Sequence, residues 1–528
     1  SSGIPTTASS APGTAPLDIA QAAINIARHP AGPNYAYSST GSTTFVSSLY
    51  NLPQGNRPFT PDLATRGVTA SQLNDFTIGI LYTAASNPGS AGGSYMNAVE
   101  TIAIDKIGNV WAVADDNGQG GTSGPNYLYQ MSPAGVIGNV NYQSSWQYGT
   151  VVIDANESAW SASAVDRQAV TYVQNTNSSS VAPAVGAAPV TYTYNAGATN
   201  ATKNTYYSYS AVADSFGDVY FGNAGLTAVY NASSSPNDYV AVFSGGSPTS
   251  TGVESGALAG INNYNAISFL NGSIQPYASG TGKTSAFFEY NAYLSGQVEI
   301  DSVQLSSSTG TVLTSGGVPV NDTGFPVYGI NTNGSPGTNA FAQTPTTGCT
   351  SLLNAGKLTT DRGGNAIVPD FHNQNGAIND VTSSLYYIIR GNPSTSSGTC
   401  TQVSGATLNA GIKDGWASTL DGNDYVYIAN RPASNSSLSV VNSQANTAAG
   451  MVAVSPATGY FPQYWNGSAL TNMLPNPFDV AVGPSGEVWV PNNSGTIGLV
   501  EIVGLGNPTA TPFAVASSPT NNLIGIRP

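Results

Sequence analysis

The sequence predicts an all-β fold, a β-propeller of six four-stranded blades with a weaker candidate for a seventh, preceded by a short N-terminal helix and a surface strap. Three observations carry this expectation. One unit recurs along the chain: a strand, an acidic or Gly turn, then a strand centred on Trp, Tyr or Ile. Its turns fall near residues 105, 154, 214, 264, 361, 421 and 483, at intervals of about 50–60 residues with one of about 100. That period, with short strands, marks blades that bury both sheet faces only against neighbours around an axis. Composition agrees. Only 8% of the 528 residues are charged, against 60 Gly, 33 Pro and 29 Tyr, so the surface is hydroxyl-rich and turn-rich rather than ionic.

The clearest unit is 476–502, NPFDVAVGPSGEVWVPNNSGTIGLVEI. Phe478, Val480 and Val482 alternate as one apolar strand face. Gly483, Pro484, Ser485 and Gly486 make a turn, because Pro presets φ and Gly accepts positive φ. Val488, Trp489 and Val490 are β-branched and aromatic, as strands prefer. Echoes stand at 98–114 (AVETIAIDKIGNVWAVA), 148–162, 209–223, 357–370 and 415–430. A weaker one spans 259–270, with its turn at Asn263, Tyr264 and Asn265. Residues 271–356 are either part of that weak unit or an insertion. The strand DFTIGILY at 75–82 is placed to complete the last blade, so the propeller spans 75–510.

The flanks read differently. Residues 1–16 (SSGIPTTASSAPGTAP) form an extended, low-complexity arm. Residues 17–74 hold a helix over 17–28, with Leu17, Ile19, Ala20, Ala23, Ile24 and Ala27 on one stripe, then a strap. Pro30 ends the helix, and His29 beside its end reads as a C-terminal cap. Residues 511–528 form a tail.

Charge excludes some partners. Thirteen basic residues against 27 acidic give −14, with no Lys/Arg cluster to neutralise phosphates, so no nucleic-acid partner is expected. No run reaches the roughly 20 apolar residues of a membrane span. The chain begins at Ser1 with no signal peptide visible, as a processed, exported product would. Cys349 and Cys400 both lie in Ser/Thr/Gly-rich sequence. Two isolated thiols are poor metal ligands; a disulfide between them, which would place the chain in an oxidising compartment, competes with two free thiols.

No catalytic, cofactor or metal residue is assigned. Asp105, Asp154, Asp214, Asp361 and Asp421 recur at one place in the unit. An Asp before a Gly or Asn turn accepts backbone N–H bonds and initiates the turn; the rival reading is a ring of carboxylates around a cation. Asp370 and His372 form an Asp-x-His pair without a third ligand. The acidic loops at 115–118 and 421–424 do not complete a calcium loop with a distal Glu. No G-x-S-x-G, HExxH or P-loop motif occurs. The many Tyr and Trp side chains suit blade cores, and also a face that stacks on sugars. Sequons at Asn156, Asn200, Asn231, Asn271, Asn321, Asn435 and Asn466 are candidate glycosylation sites.

The units IAIDKIGNVWAVA and VAVGPSGEVWVPN resemble NHL-type repeats. Beyond them, AINIARHP (23–30), PFTPDL (58–63), the strand at 76–82, and the ending at 512–516 and 523–528 resemble a group of secreted bacterial NHL-repeat propeller proteins. The units between 160 and 440 depart from that pattern, being longer with degenerate turns. The resemblance implies a propeller and export, and carries no catalytic residue. Related propellers include lyases and metal-dependent lactonases, which makes an enzyme of that kind the alternative. The expectation is an exported, extracellular or cell-surface, non-catalytic propeller that assembles with itself through the arm at 1–16, or else binds a glycan.

Overall fold

A computed structural model describes the strands between residues 78 and 330 with some of their turns, most of 356–389, and nearly all of 399–509. The helix, arm, strap and tail expected at 1–74 and 511–528 lie outside these residues. The chain divides into two compact units: Ser1–Ile80 with Ile502–Gly506, and Leu81–Glu501 with Asn507–Pro528. The described part of the first is the ends of two strands, and everything below concerns the second.

Among the described residues are seven four-stranded antiparallel sheets, here numbered in chain order by where their first strands lie. Those first strands are Val99–Ile104, Tyr148–Ile153, Ser210–Ala213, Ser268–Pro276, Thr359–Thr360, Gly415–Leu420 and Ala481–Val482. Each sheet is a meander in sequence order, save that the seventh takes Ile78–Thr83 as its outermost strand. Each first strand touches the first strand of the next sheet, and Ala481–Val482 touches Val99–Ile104. That closed cycle of innermost strands is a β-propeller. Helix is confined, among the described residues, to short turns such as Gly405–Leu408 and Ala448–Gly450.

The burial pattern shows why these residues form blades. In the second strand of sheet 1, Val110, Trp111, Ala112, Val113 and Ala114 are all buried. Alternation sends them into two different cores. Val110, Ala112 and Ala114 pack with Trp489 and Leu499 of sheet 7. Trp111 and Val113 pack with Val151 and Ala159 of sheet 2. Ile367 and Tyr387 of sheet 5 likewise share a core with Leu420, Val426 and Ile428 of sheet 6. A strand covered on both faces reads as a continuous apolar run, as seen in VWAVA and YVYIA.

Sheet 4 differs from the sequence expectation. Its strands Ser268–Pro276, Thr284–Ala292, Gln297–Gln304 and Tyr328–Ile330 fall mostly inside the stretch considered as an insertion. The first hairpin pairs Ser268 with Ala292 and Pro276 with Thr284, so its turn lies past 276 rather than near 264. These strands are longer, and the stretch between the first two carries no Asp, so the repeat signal is absent there.

Three first strands carry a bulge at the same place, after Val99, Tyr148 and Gly415. The residues set out of register are Glu100, Gly149 and Trp416, and a bulge re-aims its side chain.

Candidate functional site

An antiparallel meander has two ends. At one, which we call the upper face, first strands begin and second strands finish. At the other, the lower face, tight turns join first to second strands. The recurring Asp residues belong to the lower face.

Their carboxylates are taken up by the turns. Asp105 Oδ1 accepts from Asn109 N at 2.8 Å, Asp361 Oδ1 from Asn365 N at 2.9 Å and Asp421 Oδ1 from Tyr425 N at 3.0 Å. The other oxygen reaches a buried aromatic donor. Trp111 Nε1 donates to Asp105 Oδ2 at 3.3 Å, Tyr387 OH to Asp361 Oδ2 at 2.6 Å and Tyr427 OH to Asp421 Oδ2 at 2.9 Å. Burial, with the neighbouring carboxylate, pushes the Tyr427 phenol well above its ordinary value. Asp421 Oδ2 also accepts from Asn507 N at 2.9 Å and Asn507 Nδ2 at 2.7 Å, which ties the segment after the last strand to sheet 6. These acids are turn anchors. Asp154 and Asp214 lie outside the described residues.

The other sequence candidates scatter. Asp370 is buried and His372 lies outside the described residues. Cys400, on the outer strand of sheet 5, is buried and is not a free thiol, and Cys349 lies outside. Asn435 is exposed, in the left-handed region with φ 58°. Asn466 is exposed, but its Nδ2 donates to Thr471 Oγ1 at 2.8 Å and its Oδ1 accepts from Ser468 N at 2.9 Å. Asn271 sits within a strand opposite Glu289. Asn156, Asn200, Asn231 and Asn321 lie outside. Among the described residues no group of three or more His, Cys, Asp or Glu is placed to hold a metal ion, and no helix is long and apolar enough to cross a membrane.

The upper face gathers chemistry the sequence reading passed over. Trp416, the bulge residue of sheet 6, is half-buried. Phe371 meets it edge-on at 4.4 Å between ring centroids, and Phe478 lies tilted at 4.9 Å. The Arg431 guanidinium stands 4.7 Å from the Trp416 ring centre and 4.8 Å from that of Phe478, a cation–π arrangement with both. Arg431 Nε donates to Asn476 Oδ1 at 2.5 Å. Asn476 Nδ2 donates to Asn493 O, and Asn493 Nδ2 to Glu100 Oε1 at 3.0 Å. Sheets 5, 6, 7 and 1 therefore each contribute to one aromatic and amide cluster.

Beside it lies an ion pair that skips a sheet. Lys357, at the start of sheet 5, puts Nζ 3.0 Å from Asp479 Oδ1 and 2.9 Å from Oδ2, at the start of sheet 7. Asp479 is 1% exposed and Lys357 29%. Asp479 also accepts from Val480 N at 2.9 Å and from Ile102 N of sheet 1 at 3.3 Å. The local chain makes this possible. Lys357 N donates to Trp416 O at 2.8 Å, and a Cβ on Gly356 would lie 2.2 Å from Gly415 O. Only a glycine lets the two backbones come that close. The sequence places Phe478 on the apolar face of a strand; in the structure that strand begins at Ala481, and Phe478 is half-buried against Trp416. An Asp leading into the apolar strand of 476–482, with no turn to initiate, was the one available sequence sign of Asp479.

The fold and this geometry define the class: a β-propeller with an aromatic–amide cluster where first strands begin. No protein-family model matches the sequence, and no curated protein matches it. Solved structures are similar at low identity. One, the Dos1 propeller, gives a TM-score of 0.39 at 11% identity, covering 78% of this chain and 80% of that one. A polysaccharide lyase bound to an ulvan fragment gives 0.37 at 9%, covering 80% and 98%. An auxiliary nutrient binding protein from Bacteroides ovatus gives 0.31 at 10%, covering 81% and 76%. At these values the propeller assignment rests on the sheet order and the cycle of first strands.

Proposed function

We propose that this chain is an exported, non-catalytic propeller of seven NHL-like blades that binds a polar, glycan-class ligand on its upper face. The observation that carries this is the half-buried Trp416, pushed out of register by a bulge and framed by Phe371, Phe478 and Arg431. Aromatic planes suit the C–H faces of sugars, while the Arg431, Asn476 and Asn493 side chains suit hydroxyl groups. The neighbouring Lys357 and Asp479 neutralise each other, so the site favours hydroxyls over formal charge. Asp479 is held by a cation and two main-chain N–H groups, which suits a strut better than a proton carrier. Low charge, and a Cys400 that is not a free thiol, fit an extracellular or cell-surface setting. Self-assembly through the arm, as in a filament, rests on residues 1–16, outside the described structure, and nothing in the upper face bears on it.

A glycan array followed by calorimetric titration of its hits tests the reading. Wild type should bind at least one neutral glycan without cleaving it, and Trp416→Ala should weaken that binding at least about tenfold with the fold intact by circular dichroism. Absence of any binding, or affinity indifferent to Trp416, overturns the proposal; cleavage of the bound glycan overturns its non-catalytic part.

A further inference from the structure

The lower end of sheet 7 repeats that of sheet 1 with its charges rearranged. The turns match: Gly108 N donates to Asp105 O at 2.9 Å, and Gly486 N to Gly483 O at 3.0 Å. In sheet 1 one carboxylate, Asp105, is ringed by neutral donors. These are Asn109 N and Nδ2, Trp111 Nε1 and, from the third strand, Gln130 Nε2. In sheet 7 a glycine stands for that Asp, and carboxyl groups stand for both amides. Glu487 follows Gly483 by four residues, as Asn109 follows Asp105. Glu501 lies near the lower end of the third strand, Ile497–Val503, as Gln130 does in Asn126–Met131. Glu487 Oε1 fills the space that a side chain on Gly483 would need, 2.0 Å from its Cβ position.

Beside Glu501 runs the strand that completes the last sheet, Ile78–Thr83, at its outer edge. Tyr82 fastens it. Its OH donates to Glu501 Oε2 at 2.9 Å and its ring stacks on Trp489 at 5.4 Å. A Cβ on Gly135 of sheet 1 would lie 2.7 Å from Tyr82 Cε1. We propose that Glu487 and Glu501 make this edge strand a pH-dependent latch, closed while Glu501 is protonated and loosened once both acids are ionised. Protonated, Glu501 is neutral like Gln130, and the site holds one negative charge as sheet 1 does. Ionised, it is a second, buried negative charge near Glu487, and lifting Tyr82 away hydrates it. The titratable groups facing it are Tyr82 on the edge strand and Glu487 on the first hairpin, with Tyr127 and Tyr129 in the core shared with sheet 1. None of these is a cation. Burial first, and Glu487 second, hold the Glu501 pKa at about 7 against 4.5, so the latch is whole below pH 4.5 and lost as pH rises through about 7. It lies on the opposite face from Trp416, so it stands or falls independently of the ligand proposal.

Hydrogen exchange of the full chain, read by mass spectrometry from about pH 5 to 9, tests it. Thr399–Val403, the outermost strand of sheet 5, is the reference edge. After correction for intrinsic rates, protection in Ile78–Thr83 should fall about tenfold per pH unit up to about pH 7 and level off above it, while the reference edge holds steady. Glu501→Gln should abolish the fall, and Glu487→Gln should end it at a lower pH. Protection in Ile78–Thr83 that does not change with pH overturns the proposal. So does a fall that survives Glu501→Gln, a Glu487→Gln profile identical to wild type, or the same fall at the reference edge.

Discussion

The two faces of this propeller bury carboxylates in opposite ways. On the lower face, Asp105, Asp361 and Asp421 each satisfy a donor four residues on and an aromatic donor in the sheet behind the turn. The interaction is local, and it repeats. On the upper face, Asp479 is satisfied from 122 residues away by Lys357, and by Ile102 from the far side of the sequence. That interaction is global and single. The first kind makes a blade. The second ties non-neighbouring blades together beside the aromatic cluster.

Breaking the global tie should cost most. Lys357→Met leaves the Asp479 carboxylate buried without its counter-charge, and we expect a loss of about 4 kcal/mol in urea unfolding. An unchanged midpoint would make the pair energetically idle. Asp421→Ala should come next. It strips acceptors from Tyr425 N, Tyr427 OH and Asn507 at once, for about 3 kcal/mol in the same measurement.

Glu501 sharpens the contrast, since it has neither a turn nor a cation. Its Oε2 accepts from Tyr82 OH at 2.9 Å, and Tyr82 stacks on Trp489 at 5.4 Å. Burial raises its pKa from 4.5 to about 7, Glu487 adds to the rise, and the Tyr82 hydrogen bond opposes it. The folded chain therefore holds this proton more tightly than the unfolded chain does. The stabilisation is complete below pH 4.5 and is lost as pH rises through about 7. Melting temperature should fall across that window by the equivalent of about 2–3 kcal/mol, and Glu501→Gln should flatten this part of the profile.

The smallest effect tests the lower face itself. Sheet 7 has Gly483 where its relatives have Asp, and Gly483 N still closes the turn on Glu487 O at 2.8 Å. Its Trp489, six residues on as Trp111 is from Asp105, is wholly buried with Nε1 unbonded. Gly483→Asp should supply the missing acceptor and stabilise by up to about 1 kcal/mol. The new side chain must displace Glu487, whose Oε1 lies 2.0 Å from the Cβ position. Destabilisation would show that the missing acceptor is not what limits this blade.

The lower face was legible in the sequence because its chemistry is. At Asp105 and Asp421 an Asp, a turn, and an aromatic six residues later lie on one hairpin, so adjacent letters specify adjacent atoms; the Tyr387 that serves Asp361 comes from the third strand of its sheet. Sheet 4 was not legible, since its long strands at 268–304 meet without that signature. The upper-face cluster was invisible for a different reason. Nothing in GWASTL says that Trp416 leaves the strand register, and nothing near Arg431 says that it will stand over two rings.

The sequence by itself determined the repeating blade, its turns and its two-sided apolar strands, because hairpin chemistry and strand alternation act over a few residues. Only the tertiary structure decided that Lys357 meets Asp479 and that Trp416, Arg431 and Phe478 converge. Those contacts exist because a ring of sheets brings the starts of distant strands to one face, and closing that ring is a property of the whole chain.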